Sequence, residues 1–447
     1  MRSSGIYGFG GTWNDVAYFA YYGCCRYHKW HRDQKTHTKY DSIFRQMPNW
    51  NKLRDDFSVT KKYVYLANAA IAPIPVPVYN KVSEFYSEVL NHGETSWDQW
   101  IGKTEETKDL CAKFIGADTR DEIALTHSTS EGMNIVAHML SDKGAVLSNE
   151  LEFPSSTLPW LNKNVDNIKF VNARDGNKIL IKDISKMIDK EESSVKNSNN
   201  NGEENNNSNN KRTKTIVTSH VQYSTGFRQD LEGLHKLTKR NGLYFVVNST
   251  QSLGALYFNV KDFGVDFMVS NGHKWMLSSF GIGILYIKKK YLRDPENFKP
   301  PFFSQSGQKR RENFNNNMKL DISGTAARFE IGTPHFANII ALNTAIKYIS
   351  RIGINQIERR ILSITDYLID KLQNLDLEIL SPIEDRKYRS GIVVFKSNKR
   401  KKPIDIVTEL QKRERIIVSA RGKGIRVSPH FYNDEEDIDR LVAALKR

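Results

Sequence analysis

Short apolar runs that stop at polar groups recur along this chain. Tyr244, Phe245, Val246 and Val247 have the length and β-branched content of a buried strand and end in Asn248, Thr250 and Gln251. Phe267, Met268 and Val269 repeat the pattern and close on Ser270, Asn271, Gly272, His273 and Lys274. Strands of open α/β sheets present ligand-binding groups at such ends. Asn259 to Gly264 reads as a short crossover, which brings both ends to one sheet edge. Ile123 to Leu125 and Thr215 to Thr218 predict two more strands, and the polar stretch from His127 to Asn134 opens a helix that continues to Leu140. Val64 to Ala70, followed by Pro73, Pro75 and Pro77, predicts a strand and then a proline-broken turn. Later, Ile339, Ile340, Leu342, Ala345, Ile346 and Ile349 have helical spacing, and Gly353 ends that helix. A strand at Ile392 to Phe395, a helix from Pro403, a hairpin around Gly422 and Gly424 and a final helix after Asn433 predict a small α/β domain at the C-terminal end.

Composition narrows the class. With 447 residues, 39% hydrophobic and 26% charged, the chain is globular and long enough for two domains. No run of eighteen apolar residues occurs, which excludes a transmembrane helix, and Arg2 alone with Asp15 in the apolar stretch does not make a signal peptide. Three cysteines, with Cys24 and Cys25 adjacent, form no disulfide framework and fit a reducing cytoplasm. The net charge of +15 raises nucleic-acid binding. Its basic runs, Lys288 to Lys290, Lys309 to Arg311 and Lys399 to Lys402, sit at apparent loop ends without interleaved aromatics, so they read as solvated surface. Residues 1–40 carry Trp13, Tyr18, Phe19, Tyr21, Tyr22, Tyr27 and Trp30 with no clean period and read as an N-terminal extension; 41–62 read as an arm. The tract NSNNNGEENNNSNN at 197–210 is too polar to bury anything and reads as a disordered surface loop.

Taken in order, FVVNSTQSLGA, DFGVDFMVSNGHKWM and FGIGILYI resemble the cofactor segment of the class V aminotransferase family, pyridoxal-phosphate (PLP) enzymes of fold type I. The resemblance spans about 41–447 and implies a large PLP-binding domain at 63–325 with a mostly parallel central sheet, and a small C-terminal domain at 326–447. By this likeness Lys274 is the Schiff-base lysine. Its apolar neighbours favour the neutral, nucleophilic amine. STSEGMN resembles the family's phosphate cup, which assigns Thr129 and Ser130 to the cofactor phosphate; hydroxyls and free amides at a helix start suit an anion. Asn271 and His273 are implied as further phosphate contacts, and Gln251 and Tyr223 as contacts near the ring hydroxyl.

Two departures stand out. Phe153 occupies the place of a ring-stacking histidine and cannot carry a proton. Asn248 stands where relatives have an aspartate, whose charge holds the pyridine nitrogen protonated, so the electron sink at Cα is expected to be weaker. RFEIGTP around Thr333 resembles the segment that reaches the neighbouring subunit's cofactor, which implies a homodimer. GIRVSPHFYN resembles the carboxylate-binding strand, with Arg426 as the bidentate partner of the substrate α-carboxylate. No metal site is expected.

The family also contains cysteine desulfurases and epimerase-like proteins. Desulfurases need a thiol on a C-terminal-domain loop, and here the last cysteine is Cys111. Persulfide-forming desulfuration is therefore disfavoured, and among the family's activities amino-group transfer from an amino acid is the expected one. β-Elimination, including C–S lyase chemistry, epimerisation, and a PLP-binding regulator without turnover are the alternatives.

Overall fold

The computed structural model describes residues 47–163, 167–200, 212–309, 320–397 and 401–447. The expected extension at 1–40, most of the basic run at 309–311 and residues 201–210 of the Asn-rich tract lie outside them. Residues from Pro48 onward make one compact unit. In chain order its main elements are β1 (Val64–Tyr65), α1 (Val76–His92), α2 (Trp97–Ile115), β2 (Ile123–Thr126), α3 (Thr129–Leu140), β3 (Ala145–Asn149), α4 (Pro154–Lys163), β4 (Ile168–Val171), α5 (Ile181–Asn200), β5 (Thr213–Ser219), α6 (Leu231–Asn241), β6 (Tyr244–Asn248), β7 (Phe267–Asn271), β8 (Gly283–Ile287), α7 (Phe336–Ile352), α8 (Ile354–Gln373), β9 (Val393–Phe395), α9 (Pro403–Glu414), β10 (Ile416–Ile417), β11 (Ser419–Arg421), β12 (Gly424–Val427) and α10 (Glu435–Lys446).

Seven strands form the central sheet in the order β2-β8-β7-β6-β5-β3-β4. The pairs from β7 through β4 are all parallel, and only β8 runs against its two neighbours. Strand alternation sorts the side chains onto two buried faces. Phe245, Val247, Met268, Ile284 and Tyr286 point into one core with Leu234 of α6 and Ile346 of α7; Val246, Phe267, Val269, Leu285 and Ile287 point into the other with Met133 and Val136 of α3. Register then places the strand ends. Ser219 pairs with Asn248 and Asn248 with Val269, while Asn271 and Thr126 both pair with Gly283, so the carboxyl ends of β2, β5, β6 and β7 lie along one edge.

Three local outcomes differ from the pattern reading. Pro77 does not break a turn; it is the second residue of α1, where a missing amide hydrogen costs nothing, with Pro75 as the N-cap. The strand at Val64 pairs with β10, and Val64 and Leu66 pack among Leu368, Phe395, Ile416 and Val427 in the C-terminal core, because an apolar pair with no neighbour in the large sheet finds its partner there. Helix α5 runs to Asn200 and takes in the first residues of the Asn-rich tract. The hairpin forms as expected, β11 against β12, with Gly422 at φ +53 in the turn and β9 on the other side of β12.

Candidate active site

Lys274 follows β7 on a backbone fixed from several sides. The carbonyl of His273 accepts from Ala72 N–H at 3.0 Å, and that of Lys274 accepts from Leu277 N–H at 2.9 Å, closing a turn with Leu277 at φ +56. Trp275, 1% exposed, donates Nε1–H to Gln251 Oε1 at 2.9 Å. Its carbonyl lies 3.2 Å from His430 Nε2. His430 Nδ1 accepts the amide of Phe431 at 2.8 Å, so Nε2 carries the hydrogen and donates to Trp275. Burial pushes His430 down to about 4, which keeps the ring neutral in that role. Gly254, at φ +96, passes so close that a Cβ there would sit 2.3 Å from the Trp275 carbonyl oxygen. A lysine on so constrained a segment has its Cα position set before any ligand arrives. Its amine is desolvated, and burial, then the charges of Arg426 and Arg421, push it down to about 8.

Helix α3 supplies an anion cradle. Ser128 caps it: its Oγ accepts from Glu131 N–H at 3.1 Å and its carbonyl from Gly132 N–H at 3.2 Å. Among the described residues no acceptor takes the amides of Thr129 and Ser130, the positive end of the helix. Thr129 Oγ1 lies 2.7 Å from Thr250 Oγ1, which joins the helix start to the end of β6. Gly132 allows the approach, since a Cβ there would lie 2.8 Å from Val269 Cγ1 of β7. Asn271 Oδ1 and Ser270 Oγ, both buried at the end of β7, have no hydrogen-bond partner. His273 is half-buried and stacked on Phe280, with centroids 5.0 Å apart; burial and then Lys274 push it down to about 4, so it is neutral.

Phe153 is half exposed, its ring centroid 5.9 Å from Lys274 Nζ and 5.0 Å, edge to face, from Tyr223. Asn248 is 4% exposed; its Nδ2 donates to Ser156 Oγ at 2.9 Å and its Oδ1 accepts from Thr250 N–H at 3.0 Å. Gln251 spends its amide on protein, donating to Ala69 O at 3.0 Å and accepting from Trp275, so here it acts on the lysine segment. Glu152 is a site residue that sequence reading left unassigned. Buried beside Phe153, its carboxylate accepts from Ser219 Oγ at 2.5 Å, Ser219 N–H at 2.5 Å, Gln222 Nε2 at 2.7 Å and Asn149 Nδ2 at 3.1 Å. A buried carboxylate persists only with such donors, and these lock the ends of β3 and β5 together. The sequence sign was only an acid before an aromatic.

Arg426, 1% exposed on β12, donates Nη1–H to Tyr223 O at 3.0 Å and Nε–H to Ser419 Oγ at 3.3 Å, while its buried Nη2 has no partner. Burial and then Arg421 press the guanidinium down from its usual range. Thr333 is exposed on the loop before α7; two residues on, His335 packs its ring 4.6 Å from that of His127, beside the start of α3. The site thus gathers Lys274, Thr129, Asn248, Asn271, His273, Phe153, Tyr223 and Arg426 around one sheet edge, leaves Thr333 on the surface, and turns Gln251 inward.

One sheet edge thus brings together a desolvated amine, the free amides of a helix start, an aromatic ring and a buried arginine with an unpartnered nitrogen. The family model for class-V aminotransferases matches residues 64–441, and the chain belongs to that family, whose PLP-dependent members are aminotransferases and related lyases. It is 27% identical to a probable cysteine desulfurase of Pyrococcus abyssi, over 88% of this chain and 96% of that protein. An uncharacterized aminotransferase of Bacillus subtilis is 24% identical over 87% and 95%. The structure of the apo cysteine desulfurase from Thermococcus onnurineus NA1 superposes with a TM-score of 0.77 at 25% identity, covering 90% of this chain and 98% of that one. The α/β fold with its mostly parallel sheet is that of PLP-dependent desulfurases. No described helix is long and apolar enough to cross a membrane.

Proposed function

We propose that the protein removes the amino group of an amino acid by PLP-dependent transfer, with Lys274 as attachment point and proton carrier. The observation that carries this reading is the desolvated Lys274 amine beside the buried, half-free guanidinium of Arg426. The residues fit the cofactor: Thr129, Ser130 and the free amides of α3 would hold its phosphate with Asn271, Phe153 would cover its ring, and Asn248 would meet its nitrogen. When bound, PLP supplies the electron-withdrawing ring that accepts the electron pair left on Cα. The protein's own part is to hold the α-carboxylate on Arg426, to exclude water with Phe153 and Tyr223, and to move the Cα proton with the Lys274 amine.

Persulfide-forming desulfuration is disfavoured by the thiols. No cysteine follows Cys111, which is fully buried in the core, with its thiol raised far above the usual range by burial. Elimination that releases its leaving group without a protein thiol is the second reading, because nothing in that step needs one. Incubating the purified, PLP-loaded protein with single amino acids and following keto acid, ammonia and sulfide by mass spectrometry separates the two. Keto acid with an aminated cofactor supports transfer; ammonia or sulfide with an unchanged cofactor supports elimination.

The lysine makes a pH prediction. Only the neutral amine attacks an aldehyde, and an amine with a pKa of about 8 becomes neutral as pH rises through 8. The rate at which cofactor-free protein is fixed by borohydride to added pyridoxal, which lacks the phosphate, should therefore rise with a midpoint near that pH. A midpoint in the ordinary lysine range would contradict the desolvation argument.

We also propose a homodimer. Tyr79, Tyr86 and Leu90, at i, i+7 and i+11 on α1, are 64%, 60% and 83% exposed, and Ile71 and Ile74 lie just before the helix with 44% and 39%. A second copy covering this face, with Thr333 directed at its site, accounts for so much open apolar surface. Tyr86→Glu with Leu90→Glu should halve the mass seen by light scattering and leave the far-ultraviolet spectrum unchanged; an unaltered mass would remove this face as the interface.

A further inference from the structure

The hairpin that carries Arg426 carries a second arginine the proposed amino-acid chemistry does not use. In the antiparallel register Ser419 faces Arg426 and Arg421 faces Gly424. Opposed residues and residues two apart share one face of a hairpin, so Ser419, Arg421, Gly424 and Arg426 project to the same side. Gly424 sets no side chain opposite Arg421, and the room a Cβ would need there is taken by Val394 Cγ1 at 2.7 Å. The Arg421 guanidinium is half-buried, and its Nη1 donates only to the carbonyl of its own neighbour, Ala420, at 2.7 Å. Neither arginine forms an ion pair with a carboxylate among the described residues, whereas four other partly buried arginines do: Arg54 meets Asp437, Arg228 meets Glu358, Arg360 meets Glu435 and Arg389 meets Asp366. Arg421 is near enough that its charge bears on both Arg426 and Lys274.

Three basic groups set close together, none paired with a carboxylate among the described residues, are a costly arrangement. One anionic group on the free Nη2 of Arg426 answers one of them. Arg421 remains, and Asn248 at the end of β6 brings no charge to answer it. We propose that Arg421 is a specificity residue that takes a second anionic group on the substrate side chain, so that the enzyme prefers an amino acid with a terminal carboxylate or a like oxyanion to a neutral one. This inference rests on the proposed amino-acid chemistry and narrows its substrate.

The test uses unreactive dicarboxylates on the full chain loaded with PLP. Dissociation constants of succinate and glutarate are measured by calorimetry against propionate and butyrate, for wild type, Arg421→Gln, Arg421→Lys and Arg426→Gln. Wild type should bind the better dicarboxylate at least ~10-fold more tightly than its monocarboxylate counterpart, as a charge-assisted pair provides. Arg421→Gln should erase that ratio and leave monocarboxylate binding unchanged, Arg421→Lys should keep part of it, and Arg426→Gln should weaken both ligands. Melting temperatures of the variants check that the half-buried position tolerates the change. Equal binding of the two ligand classes by wild type, or a ratio that survives Arg421→Gln, overturns the inference. So does an Arg421→Gln protein that loses PLP while keeping the dicarboxylate preference, since Arg421 would then serve the cofactor. Borohydride fixation at Lys274, read by peptide mass, is run in parallel. Its absence refutes the underlying chemistry, whereas its presence with equal ligand binding refutes the specificity alone.

Discussion

Lys274→Ala should lower turnover by about 10³-fold or more and abolish the borohydride-fixed adduct. General-base and nucleophilic roles each contribute on the order of 10²–10⁴-fold, and here one amine is assigned both. No neighbour can substitute. A guanidinium such as that of Arg426 does not serve as a base near neutral pH, His273 is neutral but held against Phe280, and Phe153 has no proton to give. The loss should not come from unfolding. Trp275 keeps its bonds to Gln251 and His430, and the backbone carbonyls of His273 and Lys274 keep theirs, because none of these involves the amine. Removing a desolvated cation near two arginines should leave the melting temperature unchanged or raise it slightly. A discriminating control is a small added amine such as ethylamine, which can enter the space left by the side chain and should restore part of the Cα proton transfer. Lys274→Arg should stay inactive, since charge without a titratable amine does not serve. A variant without the amine that retains more than a tenth of wild-type turnover would show that the proton carrier lies elsewhere.

The parts of the site that the sequence makes legible are those whose chemistry is local. Apolar runs ending in Asn248 and in Asn271 to Lys274 become β6 and β7, and the lysine that follows β7 is desolvated as its apolar neighbours predict. The helix starting at Thr129 is likewise written in its own cap. What depends on a distant partner is not legible. Gln251 looks like a ligand contact until its amide is found between Ala69 and Trp275. Glu152 looks like one acid among many until Ser219 and Gln222 close on it across two strands. Arg421 carries no sign of its role in a chain with so many basic residues, because only the hairpin register puts it beside Arg426. The same reason explains Val64, whose apolar pair is satisfied by a strand more than three hundred residues later.

Asn248→Asp should speed exchange of the Cα hydrogen for solvent deuterium by roughly 10–100-fold. The amide at this position can hydrogen-bond a ring nitrogen but brings no charge; a carboxylate holding that nitrogen protonated adds a charged hydrogen bond of about 1.5–3 kcal/mol, felt most where the electron pair develops. The surroundings already suit the exchange of amide for acid. Thr250 N–H donates to Oδ1 at 3.0 Å and would do so to a carboxylate, and the Ser156 hydroxyl, which accepts from Nδ2 at 2.9 Å, can rotate to donate instead. At 4% exposure the new charge has two donors and no cation when the cofactor is absent, so cofactor-free Asn248→Asp should melt at a lower temperature than wild type, with PLP restoring most of the difference. The two measurements move together only if residue 248 meets the ring. Faster exchange with a cofactor-dependent melting temperature places the amide as a deliberate brake on Cα carbanion chemistry. An unchanged exchange rate and absorption spectrum would mean that proton removal at Cα does not draw on this position at all, and the wild-type amide would then be a consequence of packing against Ser156.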